Sequence, residues 1–297
     1  MLPGPAAQLY DDCALLRDGQ LACHRAAAKF ERVEGIADAR AMVGDSWDGC
    51  ARLGDGSVRC WARPKRGAAR DRDAPLTARA LPGLSEVVEL RGESKWLRCA
   101  RTRAGEVHCW GERARALGDR LPAADPGIDD AIAIDVYDHL CAVRRTGALV
   151  YGAYGQRAAF PVEPIPEIDS AVEVQVRSGG QCVRTRGGAV RCVGESYPDP
   201  GFYRVVTVLG AQDVTRLDDS FWYPCAIIRG GQRLCWEPSR RREPTARRVP
   251  GLDDTRVFTG RCALERDGHV SCWTGGHRCY TSGPLRAAEP GRAPTSE

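Results

Sequence analysis

The chain has 297 residues, enough for two ordinary domains or one large all-β domain, and its 43% hydrophobic residues suffice for a real core, which excludes bulk disorder. With 43 basic against 39 acidic residues the formal charge is only +4, a balance that calls for neither nucleic acid nor an anionic membrane as partner. No run of 18 apolar residues exists, so no membrane-spanning segment is expected.

At the start, MLPGPAAQLYDD lacks the charged head and apolar stretch of a signal peptide, so the chain is either not exported or its leader lies outside this sequence. Residues 6–9 (AAQL) read as a strand, and CALLRDGQLACH follows at 13–24. Almost the same peptide, CALERDGHVSCW, occupies 262–273. Between them the pattern recurs, with anchors at Cys13, Cys50, Cys99, Cys141, Cys182, Cys225 and Cys262. Six residues after every anchor lies a glycine: Gly19, Gly56, Gly105, Gly147, Gly188, Gly231 and Gly268. Ten residues after it lies Cys23, Cys60, Cys109, Cys192, Cys235 or Cys272, with Tyr151 in the fourth copy.

Two cysteines facing each other across a hairpin put the symmetry centre at anchor+5, so the loop is three residues long and ends on the glycine. Such a loop is a type I turn followed by a left-handed residue, which glycine occupies without steric cost. The anchor and its partner then form a non-hydrogen-bonded pair with Cα atoms roughly 4.5 Å apart, close enough for a disulfide. Each bridge would close a loop of about 11 residues, worth up to roughly 2.5–3 kcal/mol. Zinc fits poorly, because its ligand pairs are separated by two to five residues. The expected bridges are Cys13–Cys23, Cys50–Cys60, Cys99–Cys109, Cys182–Cys192, Cys225–Cys235 and Cys262–Cys272, with reduced thiols as the alternative. Cys141 and Cys279 are left over, the first expected buried and the second accessible. Disulfides imply an oxidising compartment, and reduced thiols a cytoplasmic home.

On one face of each hairpin, Leu15 with Leu21, Val143 with Leu149 and Leu264 with Val270 extend an apolar strip beside the cysteines. On the other, an alanine follows most anchors, and Trp61, Trp110, Trp236 and Trp273 follow second cysteines. Faces apolar on both sides suit stacked sheets. The linkers LPGLSEVVELRG (81–92), DPGIDDAIAIDVY (125–137), IPEIDSAVEVQV (165–176) and VPGLDDTRVFTG (249–260) each end in a strand-like run, predicting one more strand before each anchor. Residues 26–42 look helical alone, but the repeat register predicts strands there. Seven units of about 42 residues predict an all-β, seven-bladed β-propeller over 1–286, with 287–297 a flexible tail. Strand 6–9 is expected to complete the contact with the last blade, closing the ring.

The pattern C-A-L-x-x-D-G-x-V-x-C-W, with remnants of a Gly-Gln-Leu-Gly segment at Trp110, Gly111, Leu117 and Gly118 and at Gly152, Gly155 and Gln156, resembles the regulator of chromosome condensation repeat family over nearly the whole chain. It is most similar to short-repeat, cysteine-paired bacterial members, an architecture shared with the bacterial β-lactamase inhibitor propeller. Three lysines against forty arginines, with abundant Ala, Gly and Pro, point the same way, to a bacterial gene. The Gly-Gln-Leu-Gly segment is eroded in most copies and no motif for nucleotide exchange on a small GTPase is present, so that activity does not transfer.

No enzyme is expected. The histidines His24, His108, His139, His269 and His277 form no H-E-x-x-H pair, and no Gly-x-Ser-x-Gly, P-loop or dinucleotide fingerprint occurs; neither cofactor nor metal is expected. Asp18, Asp55 and Asp267 beside the turn glycines read as turn formers. The arginines at 240–242 and 247–248 read as a solvated linker. Trp47, Trp96 and Trp222 lie three residues before an anchor, where Tyr10 also sits, on the rim opposite the Asp-Gly turns. Two readings stand: these aromatics plug the inner rim as core, or they form a protein-binding face, with Asp218, Asp219, Phe221, Trp222 and Tyr223 its densest cluster. The expected function is a monomeric protein-interaction scaffold in the bacterial periplasm, at the cell surface or outside the cell, with an inhibitor of a secreted enzyme, a lectin or a propeller hydrolase as alternatives.

Overall fold

The computed structural model describes residues 6–10, 13–25, 29–63, 65–66, 69–70, 74–92, 96–111, 122–125, 127–137, 139–155, 164–177, 180–194, 204–218, 224–237, 243–249, 255–258, 262–265 and 270–272. Among these, the ordered elements are strands: five four-stranded antiparallel sheets, two of three strands and one of two. The first sheet runs Ala6–Leu9, Cys13–Leu16, Leu21–Arg25 and Lys29–Arg32, in that order across the sheet. The second repeats it with Ala39–Gly44, Asp48–Leu53, Val58–Ala62 and Arg79–Ala80, adding the hairpin Lys65–Arg66 with Ala69–Arg70 before its outer strand. Residues 29–32 and 39–44 are therefore strands, as the repeat register requires, and not a helix. A short leading strand, a hairpin and an outer strand also make the sheets led by Val87–Arg91, Ala171–Arg177 and Val214–Asp218. The sheets led by Ala131–Val136 and Thr255–Phe258 show three strands among the described residues.

The hairpins explain the cysteine and glycine spacing. Cys13 faces Cys23, Cys50 faces Cys60, Cys99 faces Cys109, Cys182 faces Cys192 and Cys225 faces Cys235, each pair bridged with Cα atoms 3.9–4.1 Å apart. Cys262 is in register with Cys272, where only the backbone is described. Cys141 is buried, opposite Tyr151 rather than a cysteine, and forms no disulfide among the described residues. Cys279 and residues 287–297 lie outside the described residues.

Each of the six described turns is the expected three-residue loop, and the turn at 266–268 lies outside the described residues. In the first, Gly19 N–H donates to Leu16 O (3.0 Å), Leu16 N–H donates to Gln20 O (2.8 Å), and Gly19 adopts a φ of +77°. Asp18 and Asp55 accept the N–H groups of Gln20 and Ser57, the turn-forming role read from sequence. The Ser57 hydroxyl and then its N–H hold the Asp55 carboxyl below the ordinary carboxylate range.

The same glycines join one sheet to the next. Gly19 O accepts Ala39 N–H (2.7 Å), Gly56 O accepts Val87 N–H (3.0 Å), Gly105 O accepts Ala131 N–H (3.0 Å), Gly147 O accepts Ala171 N–H (2.9 Å) and Gly188 O accepts Val214 N–H (3.0 Å). Each acceptor belongs to one turn and each donor opens the following leading strand. The approach is so close that a Cβ on Gly147 would lie 2.4 Å from Asp169 O. Glycine is thus needed twice, for its left-handed φ and for backbone contact with the next sheet. Asp38, Glu86 and Asp213, just before leading strands, are themselves held at φ of +52° to +58°.

Hydrophobic clusters lie between successive sheets. Cys13, Leu15, Leu21 and Cys23 of the first sheet pack with Ala51 and Trp61 of the second. Cys50 and Val58 then pack with Ala100 and Trp110 of the third, and Cys182, Val190 and Cys192 with Ala226 and Trp236 further along. The cysteine face of one sheet therefore meets the small-plus-tryptophan face of the next, which accounts for both halves of the repeat pattern. Leading strands of neighbouring sheets touch, and Ala6–Leu9 lies against Thr255–Phe258 and Cys262–Glu265, bringing the chain's beginning to its last sheet. Ala6–Leu9 does so as the leading strand of its own sheet, hydrogen-bonded to Cys13–Leu16.

Candidate interaction face

In every sheet the connection from leading strand to hairpin and the hairpin's own turn lie at opposite ends of antiparallel strands. Tyr10, Trp47 and Trp96, all in the first kind of connection, therefore share the end opposite the Asp-Gly turns. Asp219, Phe221, Trp222 and Tyr223 belong to the equivalent connection after Val214–Asp218 but lie outside the described residues.

The three described aromatics do different jobs. Tyr10 is half-buried against the core between the first two sheets. Its hydroxyl donates to Gln8 Oε1 (2.8 Å) and accepts Met42 N–H (3.2 Å), tying the first leading strand to the second. Trp47, also half-buried, sits in a turn ordered by Asp45, whose Oδ1 accepts the N–H groups of Trp47 (2.7 Å) and Asp48 (3.0 Å). The buried Arg63 secures this turn from beneath, donating to Ser46 O (2.8 Å), Ala74 O (2.6 Å) and Glu31 Oε1 (2.9 Å). Trp96 is 47% exposed; among the described residues only Leu209 is as exposed a large hydrophobic. Beside it Leu97 is buried and Arg98 pairs with Asp48 of the preceding sheet, so the strand that follows Trp96 is anchored to the core.

Below this rim lies a row of buried polar groups. Asp135, Gln175 and Asp218 each stand on a leading strand directly opposite an anchor cysteine. Asp135 Oδ2 accepts Val176 N–H (2.6 Å) and pairs with Arg177 (3.2 Å) across a sheet boundary. Gln175 Nε2 donates to Asp218 O (2.5 Å), and Asp218 pairs with Arg233, which is completely buried. Gln181 donates to the Tyr151 hydroxyl, and the Tyr151 ring packs at 5.4 Å against buried His139. Tyr151 thus replaces a disulfide with a polar contact to the following sheet. On the same leading strands, Glu89 Oε2 accepts Ile134 N–H (3.3 Å) and Arg101 Nε–H (2.9 Å), and Glu173 Oε2 accepts Leu217 N–H (3.0 Å) and Arg184 Nε–H (2.8 Å). These carboxylates satisfy leading-strand donors at a sheet edge that no further strand covers.

The sequence put Asp218 in the aromatic cluster of the rim, whereas the structure buries it against Arg233; Glu89, Asp135, Glu173 and Gln175 were not singled out. A signal was present for one of them: Asp135 is the single charged residue in the run AIAIDVY, six residues before its anchor. Among the described residues no cluster of three His, Cys, Asp or Glu side chains is placed to hold a metal ion, and no helix is long and apolar enough to cross a membrane. Of the arginine clusters, Arg247–Arg248 forms a short exposed outer strand, and 240–242 lies outside the described residues.

No protein-family model and no curated protein sequence matches the chain. Solved structures do. Prp20p from Saccharomyces cerevisiae is 13% identical with a TM-score of 0.57, over 82% of this chain and 76% of that one. The yeast RCC1 (Prp20) bound to Kap60 is 12% identical with a TM-score of 0.54, over 75% and 67%. The fold is that of a β-propeller, similar to these RCC1 structures. The Cps50 (Swd1) β-propeller domain of Myceliophteria thermophila is likewise similar, 12% identical with a TM-score of 0.58 over 90% of this chain and 96% of that one. In propeller terms the sheets are blades, the leading strands line the axis, and Trp47 and Trp96 mark one of two opposite faces.

Proposed function

We infer that the chain is a non-catalytic, seven-bladed protein-interaction scaffold of the regulator of chromosome condensation repeat type, working at the surface of, or outside, a bacterial cell. Seven hairpin repeats in the sequence support the blade count, and five bridged cysteine pairs support an oxidising compartment. The solved RCC1-like structures are described with protein partners: Prp20p with Gsp1p and histones, and yeast RCC1 with Kap60.

The observation that carries the reading is Trp96, a large aromatic 47% exposed on the aromatic rim. A tryptophan at a surface offers a large contact area with only two rotatable side-chain bonds, which is why it anchors so many interfaces. Tyr10 belongs to the core junction and leaves the proposed face, while Trp47 is half-buried at its edge. The face therefore centres on Trp96 together with Trp222 and its neighbours Asp219, Phe221 and Tyr223.

The double variant Trp96→Ala/Trp222→Ala is expected to keep the wild-type melting temperature within a few degrees and to lose at least tenfold in affinity for the protein that immobilised wild-type chain retains from the secreted fraction of its source. Unchanged affinity in the folded variant rejects this face. Retention of glycans in place of any protein moves the assignment to a lectin.

A further inference from the structure

The opposite face carries a pattern that the turn geometry does not require. The first residue of the three-residue turn is arginine in six of the seven repeats: Arg17, Arg103, Arg145, Arg186, Arg229 and Arg266. About one residue in seven of this chain is arginine, so composition alone would put about one there. A type I turn accepts most residues at this position, and the fold's demand at the turn falls on the glycine two places later.

Packing does not require arginine either. The side chains of Arg103, Arg145, Arg186 and Arg229 are exposed, and among the described residues none of them makes a side-chain hydrogen bond or ion pair. They belong to four consecutive blades. The glycine carbonyl of each of the first three of these turns is hydrogen-bonded to the strand that opens the next blade, so the four tips follow one continuous arc held by the fold. A row of guanidinium groups on rigid backbone, each free to form two parallel hydrogen bonds to a carboxylate or sulfate, is an anion-recognition surface.

The neighbouring residues decide which anion. The second turn positions are Ala104, Thr146, Gly187 and Gly230, so the arc offers no aromatic or large apolar anchor for a folded protein. Without aromatics it also lacks the stacking platforms that hold single-stranded nucleic acid. Between successive arginines stand Asp129, Asp169 and Asp213, exposed at the blade junctions, with Glu86 at the junction before Arg103. Their alternation opposes the unbroken charge of a duplex but leaves room for a flexible chain whose anionic groups are spaced apart. We propose that this arc binds a linear anionic polysaccharide, one carboxylate- or sulfate-bearing unit to each arginine. The bridged cysteines place the surface in the oxidising setting where such polymers occur.

Heparin serves as the probe, with the full chain. Four ionic contacts to a flexible polyanion make affinity fall about 50-fold between 50 and 200 mM salt. The quadruple variant Arg103→Gln/Arg145→Gln/Arg186→Gln/Arg229→Gln is expected to lose at least tenfold in affinity at 50 mM salt and to lower the log–log salt slope by about 3. A control with Arg79, Arg204, Arg247 and Arg248, exposed elsewhere, changed to Gln should stay within about twofold of wild type. The proposal is overturned if heparin fails to bind at 50 mM salt, if the control loses as much as the arc variant, if a DNA duplex of equal charge binds more tightly than heparin, or if the arc variant unfolds, which would make the arginines structural. None of these outcomes touches the aromatic face, which lies at the other end of the strands.

Discussion

Replacing Asp218 with alanine is expected to destabilise the propeller by about 3–5 kcal/mol, the cost of leaving a buried cation without its carboxylate. Arg233 is completely buried, and its guanidinium meets Asp218 beneath the rim of the sixth blade. Removing the carboxylate leaves the charge in a low-dielectric setting, because an arginine cannot shed its proton to adapt. For a chain of 297 residues the loss corresponds to a fall of about 5–8 °C in melting temperature. Asp218→Asn keeps an acceptor and should cost less. Asp218→Leu combined with Arg233→Met removes both charges and is expected to be less harmful than Asp218→Ala alone. Thermal melts of the three variants check the order. A loss below about 1 kcal/mol for Asp218→Ala would place the pair in the weak, solvent-screened class.

Gly147→Val is expected to cost about 2–3 kcal/mol, through two effects at one atom. A left-handed φ of +91° carries a penalty of roughly 1–2 kcal/mol for a residue with a side chain. The added Cβ would also fall 2.4 Å from Asp169 O and 3.0 Å from Ser170 Cα, forcing apart the strand whose Ala171 N–H bonds Gly147 O. Gly187→Ala is the matched control, since nothing lies within 4 Å of a Cβ there and its φ is not left-handed. It should change stability by no more than about 0.5 kcal/mol. Denaturant melts of both variants read the difference; equal losses would mean that the fourth turn does not bear on the fifth blade.

The hairpins were legible because everything that specifies them is local. A cysteine, a glycine six residues on and a second cysteine after four more fix the turn type, the register and the bridge within eleven residues. The alternation of Ala with Trp told which face is packed, though not that its counterpart is the previous blade's disulfide, as Cys13 and Cys23 against Ala51 and Trp61 show. Contacts that cross a blade boundary were less visible. Glu89 reaches the Ile134 N–H 45 residues away and Asp135 reaches the Val176 N–H 41 residues away, and neither acid recurs at its position in every repeat. Tyr10 read like Trp96 because both lie three residues before an anchor. The structure separates them, since Tyr10 closes a hydrogen-bonded junction with Met42 and Trp96 faces solvent.

The central claim is that covalent cross-strand bridges staple the repeats of one propeller. Intact mass after alkylation in denaturant, with no reducing agent and on protein kept in its native redox setting, tests it most directly. Two alkylated thiols are expected, Cys141 and Cys279, with Cys262–Cys272 adding a sixth bridge to the five described. Fourteen alkylated cysteines would contradict it, giving a reduced chain that folds without its staples and belongs in a reducing compartment.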